Sequence, residues 1–174
     1  MAVIRRSQNI ISTPPATKSA AAVFTEAQEL SLELLPFDIE GLLRHYKISI
    51  IYEDMEDLSG YVEKRGEGWC IGVNIYQSKR RQRFTMAHEL GHICLHASSL
   101  TARHSEKIFF RSQLTSPQEK EANEFASDLL IPKELLLAQI AEGRKRLSEL
   151  ADIFEVSLDA MRYKAFKLKL IPEY

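Results

Sequence analysis

Apolar residues recur at helical spacing over most of the chain and alternate at strand spacing only in a short central block. Ala27, Leu30, Leu34 and Leu35 predict a helix from Thr25, its N-cap, to Pro36. Asp38 is placed to cap a second short helix, IEGLLRHY, ending near Lys47. SIIYED from Ser49, GYVEKR from Gly60 and WCIGVNI from Trp69 read as strands, with a hairpin signal at Gly66-Glu67-Gly68. These three predict a small antiparallel sheet. The basic run Lys79 to Arg83 reads as a turn, and a long helix follows with Phe84, Ala87, Leu90, Gly91, Cys94 and Leu95 at helical intervals.

The stretch 98–115 is polar apart from Ile108-Phe109-Phe110, expected as a strand or a packed loop. Ser116-Pro117 opens another helix, with Ser at the N-cap, Pro at N1 and Glu119 at the capping-box position, and Pro132 stops it. A short helix over 132–142 and two more between Leu147 and Leu170, broken at Val156-Ser157, complete the chain. Residues 1–24 are rich in Ser, Thr, Ala and Pro; the first half is expected to be mobile and the second to begin a helix, with no site in either. The pattern therefore predicts an α+β domain over residues 25–174, a helical frame around a small antiparallel sheet.

Composition narrows the classes. At 174 residues, 45% hydrophobic and 27% charged, the chain has the makeup of one globular domain. Its 23 basic and 24 acidic side chains leave a formal charge of -1, so no global field draws it to nucleic acid or anionic lipid. No apolar run approaches the roughly 20 residues needed to span a bilayer. Arg5 and Arg6 are followed by polar residues and Pro14-Pro15, not by a secretory signal's apolar core. Cys70 and Cys94 form no disulfide framework or zinc knuckle and read as buried thiols. A cytoplasmic protein is expected.

The chemistry concentrates in His88-Glu89-Leu90-Gly91-His92, an HExxH motif within the long helical pattern. Residues i and i+4 share one helix face, so both imidazoles reach one zinc ion. Glu89, next to the first ligand, is placed to serve as general base and then general acid in peptide hydrolysis. HExxH also arises by chance, usually on exposed surfaces. Here the helix is otherwise apolar, where two histidines and a glutamate are costly to bury without partners.

A catalytic zinc needs a third protein ligand and an open position. His96 continues the i+4 series, but a straight helix carries it about 12 Å from His88, against roughly 4 Å between nitrogens sharing one zinc. It reads as a helix-end residue or a support for the ligands. The helix following Ser116 offers Glu119 and Glu121. Glu121 sits at the edge of the apolar stripe of Ala122, Phe125, Ala126, Leu129 and Leu130, with Glu124 and Asp128 further outward. Helical angle alone does not exclude Glu119.

RQRFTMAHELGHICLH followed by EKEANEFASDLLIP resembles the ImmA/IrrE family of zinc metallopeptidases over roughly residues 42–170. The resemblance implies a zincin-like fold, one zinc per chain held by His88, His92 and Glu121, and Glu89 as the catalytic base. It also implies an intracellular protein whose substrate is a helix-turn-helix transcriptional repressor encoded nearby, cleaved to relieve repression. Ile131 stands where the family often has Met. The competing function is a toxin-type or non-catalytic partner of such a repressor.

Residues 143–174 have the look of a helix-turn-helix, with Arg162, Lys164, Lys167 and Lys169 on or near the second helix. Seven basic against five acidic residues from Arg144 to Tyr174 argue against direct DNA binding, and a subdomain that packs under the zinc site or holds substrate is the favoured reading. Lys79, Arg80, Arg81 and Arg83 could be a solvated turn or a docking patch for an acidic segment. The strand from Trp69 to Ile75 could pair with an extended substrate. Tyr61, Tyr76 and His104 are open choices for a group stabilising the oxyanion.

Overall fold

A long helix, Lys79–His96, runs through the middle of the molecule with a sheet on one side and a second long helix on the other. The computed structural model describes residues 18–100, 103–107 and 116–172. In chain order, α1 (Ala20–Glu29) and α2 (Ile39–His45) precede β1 (Ser49–Glu53), β2 (Leu58–Arg65) and β3 (Gly68–Asn74). The central helix is α3, followed by β4 (Arg103–Lys107), α4 (Pro117–Leu130), α5 (Lys133–Ala141), α6 (Leu147–Ile153) and α7 (Leu158–Lys167).

The α+β class is as expected, but the sheet is mixed rather than antiparallel. Its strand order is β1-β3-β2-β4, with β1 parallel to β3 and both other pairings antiparallel. The β2–β3 hairpin turns at Gly66, whose φ of +60° suits a residue without a Cβ. β1 adds to the far side of β3, from Ser49 opposite Cys70 to Glu53 opposite Asn74. The β3 backbone is therefore paired along both sides, and the expectation that Trp69 to Ile75 receives a substrate strand is wrong for this fold.

α3 can lie close to the sheet because of Gly60. A Cβ built there would stand 2.4 Å from Thr85 Cγ2, so any larger residue would push the helix away. Met86, Ala87, Leu90, Ile93 and Cys94 on α3 join Val62, Ile71 and Val73 from the sheet and Phe125, Ala126 and Leu129 from α4 in one core. Cys70 and Cys94 are buried free thiols, as expected; burial pushes the Cys94 thiol up to about 12, leaving it inert near neutrality.

Two helix boundaries differ from the expected ones. α1 begins at a Ser19 cap, and Thr25 lies inside it with its hydroxyl bonded to the Ala21 carbonyl at 3.1 Å. The buried stripe is Ala20, Val23 and Ala27, upstream of the Leu-rich segment, and Ser31 at φ +57° ends the helical path. The basic run Lys79 to Arg83 is the first part of α3 and not a turn, capped by Ser78, whose Oγ accepts from Arg81 N at 3.3 Å. The remaining helices follow expectation closely: Asp38, Ser116 and Ser157 accept from Gly41, Glu119 and Ala160 as N-caps. Ile108-Phe109-Phe110 and most of residues 1–24 lie outside the described residues.

Near α1, Glu26 accepts from Tyr46 Oη at 2.6 Å and Lys18 Nζ at 2.8 Å. Burial works against ionisation of Glu26, but these hydrogen bonds and the Lys18 charge outweigh it and hold the carboxyl below its ordinary value. A depressed folded-state pKa adds stability above the unfolded value and loses it as pH falls through the folded one. The thermal midpoint of the wild type is therefore expected to fall more steeply than that of Glu26→Gln between about pH 5 and pH 3 in a melting series. Parallel curves would show that Glu26 carries no such linkage.

The two C-terminal helices are bound into the domain. Lys164 and Lys167 on α7 pair with Asp128 and Glu124 on α4 at 2.5 and 2.7 Å, and Arg80 pairs with Asp152 at 2.6 Å. Glu155, at φ +49°, makes the turn between them. Lys164 is buried, and with Lys167 it makes two of the four cations of the helix-turn-helix reading partners of α4. No helix among the described residues is long and apolar enough to cross a membrane.

Candidate metal centre

α3 presents His88 and His92 one turn apart, both buried, toward the N-terminal turn of α4. Their Nε2 atoms are 3.0 Å apart. The two oxygens of Glu119 complete the group, 3.2 Å from His88 Nε2 and 3.3 Å from His92 Nε2. Taking one ligand atom from each residue, the three lie within 4.8 Å of one another, close enough for a single ion with ligands at about 2.0 to 2.2 Å to draw them together. Two imidazoles and a carboxylate are also a donor set that catalytic zinc sites use. The residues fit a zinc ion on both counts.

The third member is Glu119, and Glu121 is not in the group. Glu121 is 59% exposed on its side chain and lies 3.3 Å from His96 Nε2, at the last residue of α3. The physical reason is angular: at about 100° per residue, Glu119 falls about 50° from the centre of the buried stripe of α4 and Glu121 about 110°. Glu119 is thus on the face that meets α3. The reading that His96 ends the helix outside the ligand group agrees with its position.

Close approach of α3 and α4 makes the convergence possible. A Cβ on Gly91 would lie 3.1 to 3.2 Å from the Phe125 side chain, so the two helices already touch through a position with no side chain. Asn123, one turn beyond Glu119, was not anticipated. Its Oδ1 accepts from His88 Nδ1 at 3.0 Å, which fixes the tautomer that leaves Nε2 available for a cation. The signal for it was the i+4 spacing from a ligand position on the same helix.

Glu89 is fully buried, and both of its carboxylate oxygens are shielded from solvent. A carboxylate in such a place favours a cation nearby. The oxyanion choices separate by location: Tyr61 is buried with its ring over the Gly72 backbone, Tyr76 is 79% exposed, and His104 is in β4, whose side chains lie outside the described residues. The basic residues form the first part of α3 and not a turn, and each has a contact within the molecule. Arg81 donates to Ser59 Oγ at 2.8 Å, Arg83 to the Phe37 carbonyl at 3.0 Å, Arg80 pairs with Asp152, and Lys79 lies 5.9 Å from the Tyr52 ring centre.

A helix carrying HExxH against a second helix that supplies a carboxylate is the arrangement of a metal-dependent peptidase. The Peptidase_M78 family profile, described as the IrrE N-terminal-like domain, matches residues 43–166, and the chain belongs to this peptidase family. No curated protein matches the chain.

Proposed function

We propose that the protein is a zinc endopeptidase in which His88, His92 and Glu119 hold one zinc ion and Glu89 moves the proton. The observation that carries this reading is the cluster of His88, His92 and Glu119, whose ligand atoms, one from each residue, lie within 4.8 Å of one another. Zinc, when bound, supplies a Lewis acid for the scissile carbonyl and lowers the pKa of a water to about 7. Glu89 takes a proton from the water whose oxygen forms the new bond to carbon, and delivers it to the nitrogen as the carbon–nitrogen bond breaks. Asn123 holds His88 in orientation throughout.

The substrate we infer is a helix-turn-helix repressor encoded nearby, cleaved in the cytoplasm to relieve repression; the resemblance of the two motifs supports this. The test is intact-mass analysis of that repressor after incubation with the zinc-loaded protein. Cleavage at one bond is expected. A stable complex without cleavage would favour the toxin-type binding partner instead.

Asn123→Ala is expected to weaken zinc binding by about 10- to 100-fold, because His88 loses the group that orients it. Competition against a chelator of known affinity measures this, and an unchanged affinity would remove Asn123 from its supporting role.

A further inference from the structure

A cavity of about 510 Å³ opens between the first half of α3, α4 and the start of α7. It lies beside the metal centre, separated from it by the side chains of Phe84 and Asn123. The Phe84 ring, on its wall, stacks with the His88 ring at 6.3 Å between centres, and Asn123, another wall residue, holds His88 Nδ1. A group seated against Phe84 is therefore one side chain away from the ligands.

The lining states what that group is. Phe84, Val156, Ala160 and Tyr163 give apolar and aromatic surface, and Ser127, buried on α4, keeps space open where a larger residue would fill it. Five charged residues also line it, and of these Arg80 pairs with Asp152, Glu124 with Lys167, and Arg81 donates to Ser59 Oγ. The Lys164–Asp128 and Lys167–Glu124 pairs fix α7 against α4, so the cavity is preformed. Its volume is within the range of pockets that bury most of a small ligand.

We propose that this cavity is the specificity pocket of the peptidase and receives a large apolar side chain, aromatic or long aliphatic, on a residue adjoining the scissile bond. The proposal rests on the peptidase reading and adds the substrate class.

Two measurements test it. Zinc-loaded wild type and Ala160→Trp digest a mixture of peptides of random sequence, and mass spectrometry locates the cleaved bonds. Wild type is expected to favour Phe, Tyr, Leu or Met over Ala at one fixed position by about 10- to 100-fold. Ala160 is half-buried and lines the cavity, so Trp there fills the pocket and the preference should fall about tenfold or more, while one zinc per chain is retained. Equal cleavage regardless of side chain, or a preference that Ala160→Trp leaves intact, would overturn the pocket.

The second measurement does not depend on turnover. Isotope-labelled, zinc-loaded Glu89→Gln is titrated with N-acetyl-phenylalaninamide and with N-acetyl-alaninamide. Shifts at the Phe84, Ala160 and Tyr163 resonances with the first compound only are expected. Their absence overturns the pocket whatever the catalysis. Shifts without any cleavage by the wild type overturn the peptidase reading, and the pocket's part in cleavage with it, but not apolar side-chain recognition.

Discussion

Glu119→Ala should leave the purified protein without its zinc, whereas Glu121→Ala should keep about one zinc per chain. The two residues are neighbours on one helix, so the comparison isolates geometry from composition. The Glu119 oxygens stand 3.2 and 3.3 Å from the two histidine nitrogens, and the Glu121 carboxylate is mostly exposed beside His96. Removing a residue that only supports a ligand costs roughly 10- to 100-fold in affinity. Loss of a ligand itself should cost more, leaving two imidazoles that also bind in unfolded chains. Zinc content by atomic emission reads the result, and melting with and without added zinc provides a second reading. A ligand present at 100 times its Kd adds about 2.7 kcal/mol of stability, so wild type and Glu121→Ala should melt higher with zinc and Glu119→Ala should not. A Glu119→Ala protein that retains full zinc would return the third position to Glu121.

Glu89→Gln should keep both the zinc and the fold and lose proteolysis by about 10²- to 10⁴-fold, the span that a positioned general base supplies. Gln has nearly the shape of Glu and cannot take up the proton. The loss should appear in kcat and in kcat/KM alike, because proton transfer belongs to the transition state and not to substrate binding. Glu89 is buried with both oxygens away from solvent. Initial-rate measurements on any cleaved peptide decide the matter, and a Glu89→Gln enzyme within a few fold of wild type would take Glu89 out of the mechanism.

The sequence carried α4 almost to the residue and α3 from Phe84 onward, because caps and apolar intervals are local properties, whereas the polar start of α3 over Lys79 to Arg83 has no apolar interval to mark it. Ser116, Pro117 and the stop at Pro132 bound α4 without reference to anything distant. The partner of β1 was not legible in the same way. Alternation in SIIYED says that one face is covered, but not which strand lies beside it or in which direction. The parallel pairing with β3 is fixed by the tertiary packing.

Glu119 illustrates a different limit. Its place three residues after Ser116 is also that of a capping-box glutamate, so one local signal was already accounted for by a helix start. Its angle to the buried stripe was the better guide to its neighbours. The wall formed by Phe84 and Tyr163 was beyond the sequence, since it exists only after α7 folds back on α4.

The contact between Gly91 and Phe125 has a consequence for how this chain can change over time. Neither residue is part of the donor cluster, yet together they set the gap across which the α4 carboxylate must reach. A methyl at position 91 would spread the helices by a few tenths of an ångström unless position 125 shrank to receive it. Substitutions at 91 and 125 should therefore survive as matched pairs, and a lineage that enlarged one alone would drift toward an intact HExxH helix that no longer grips its ion.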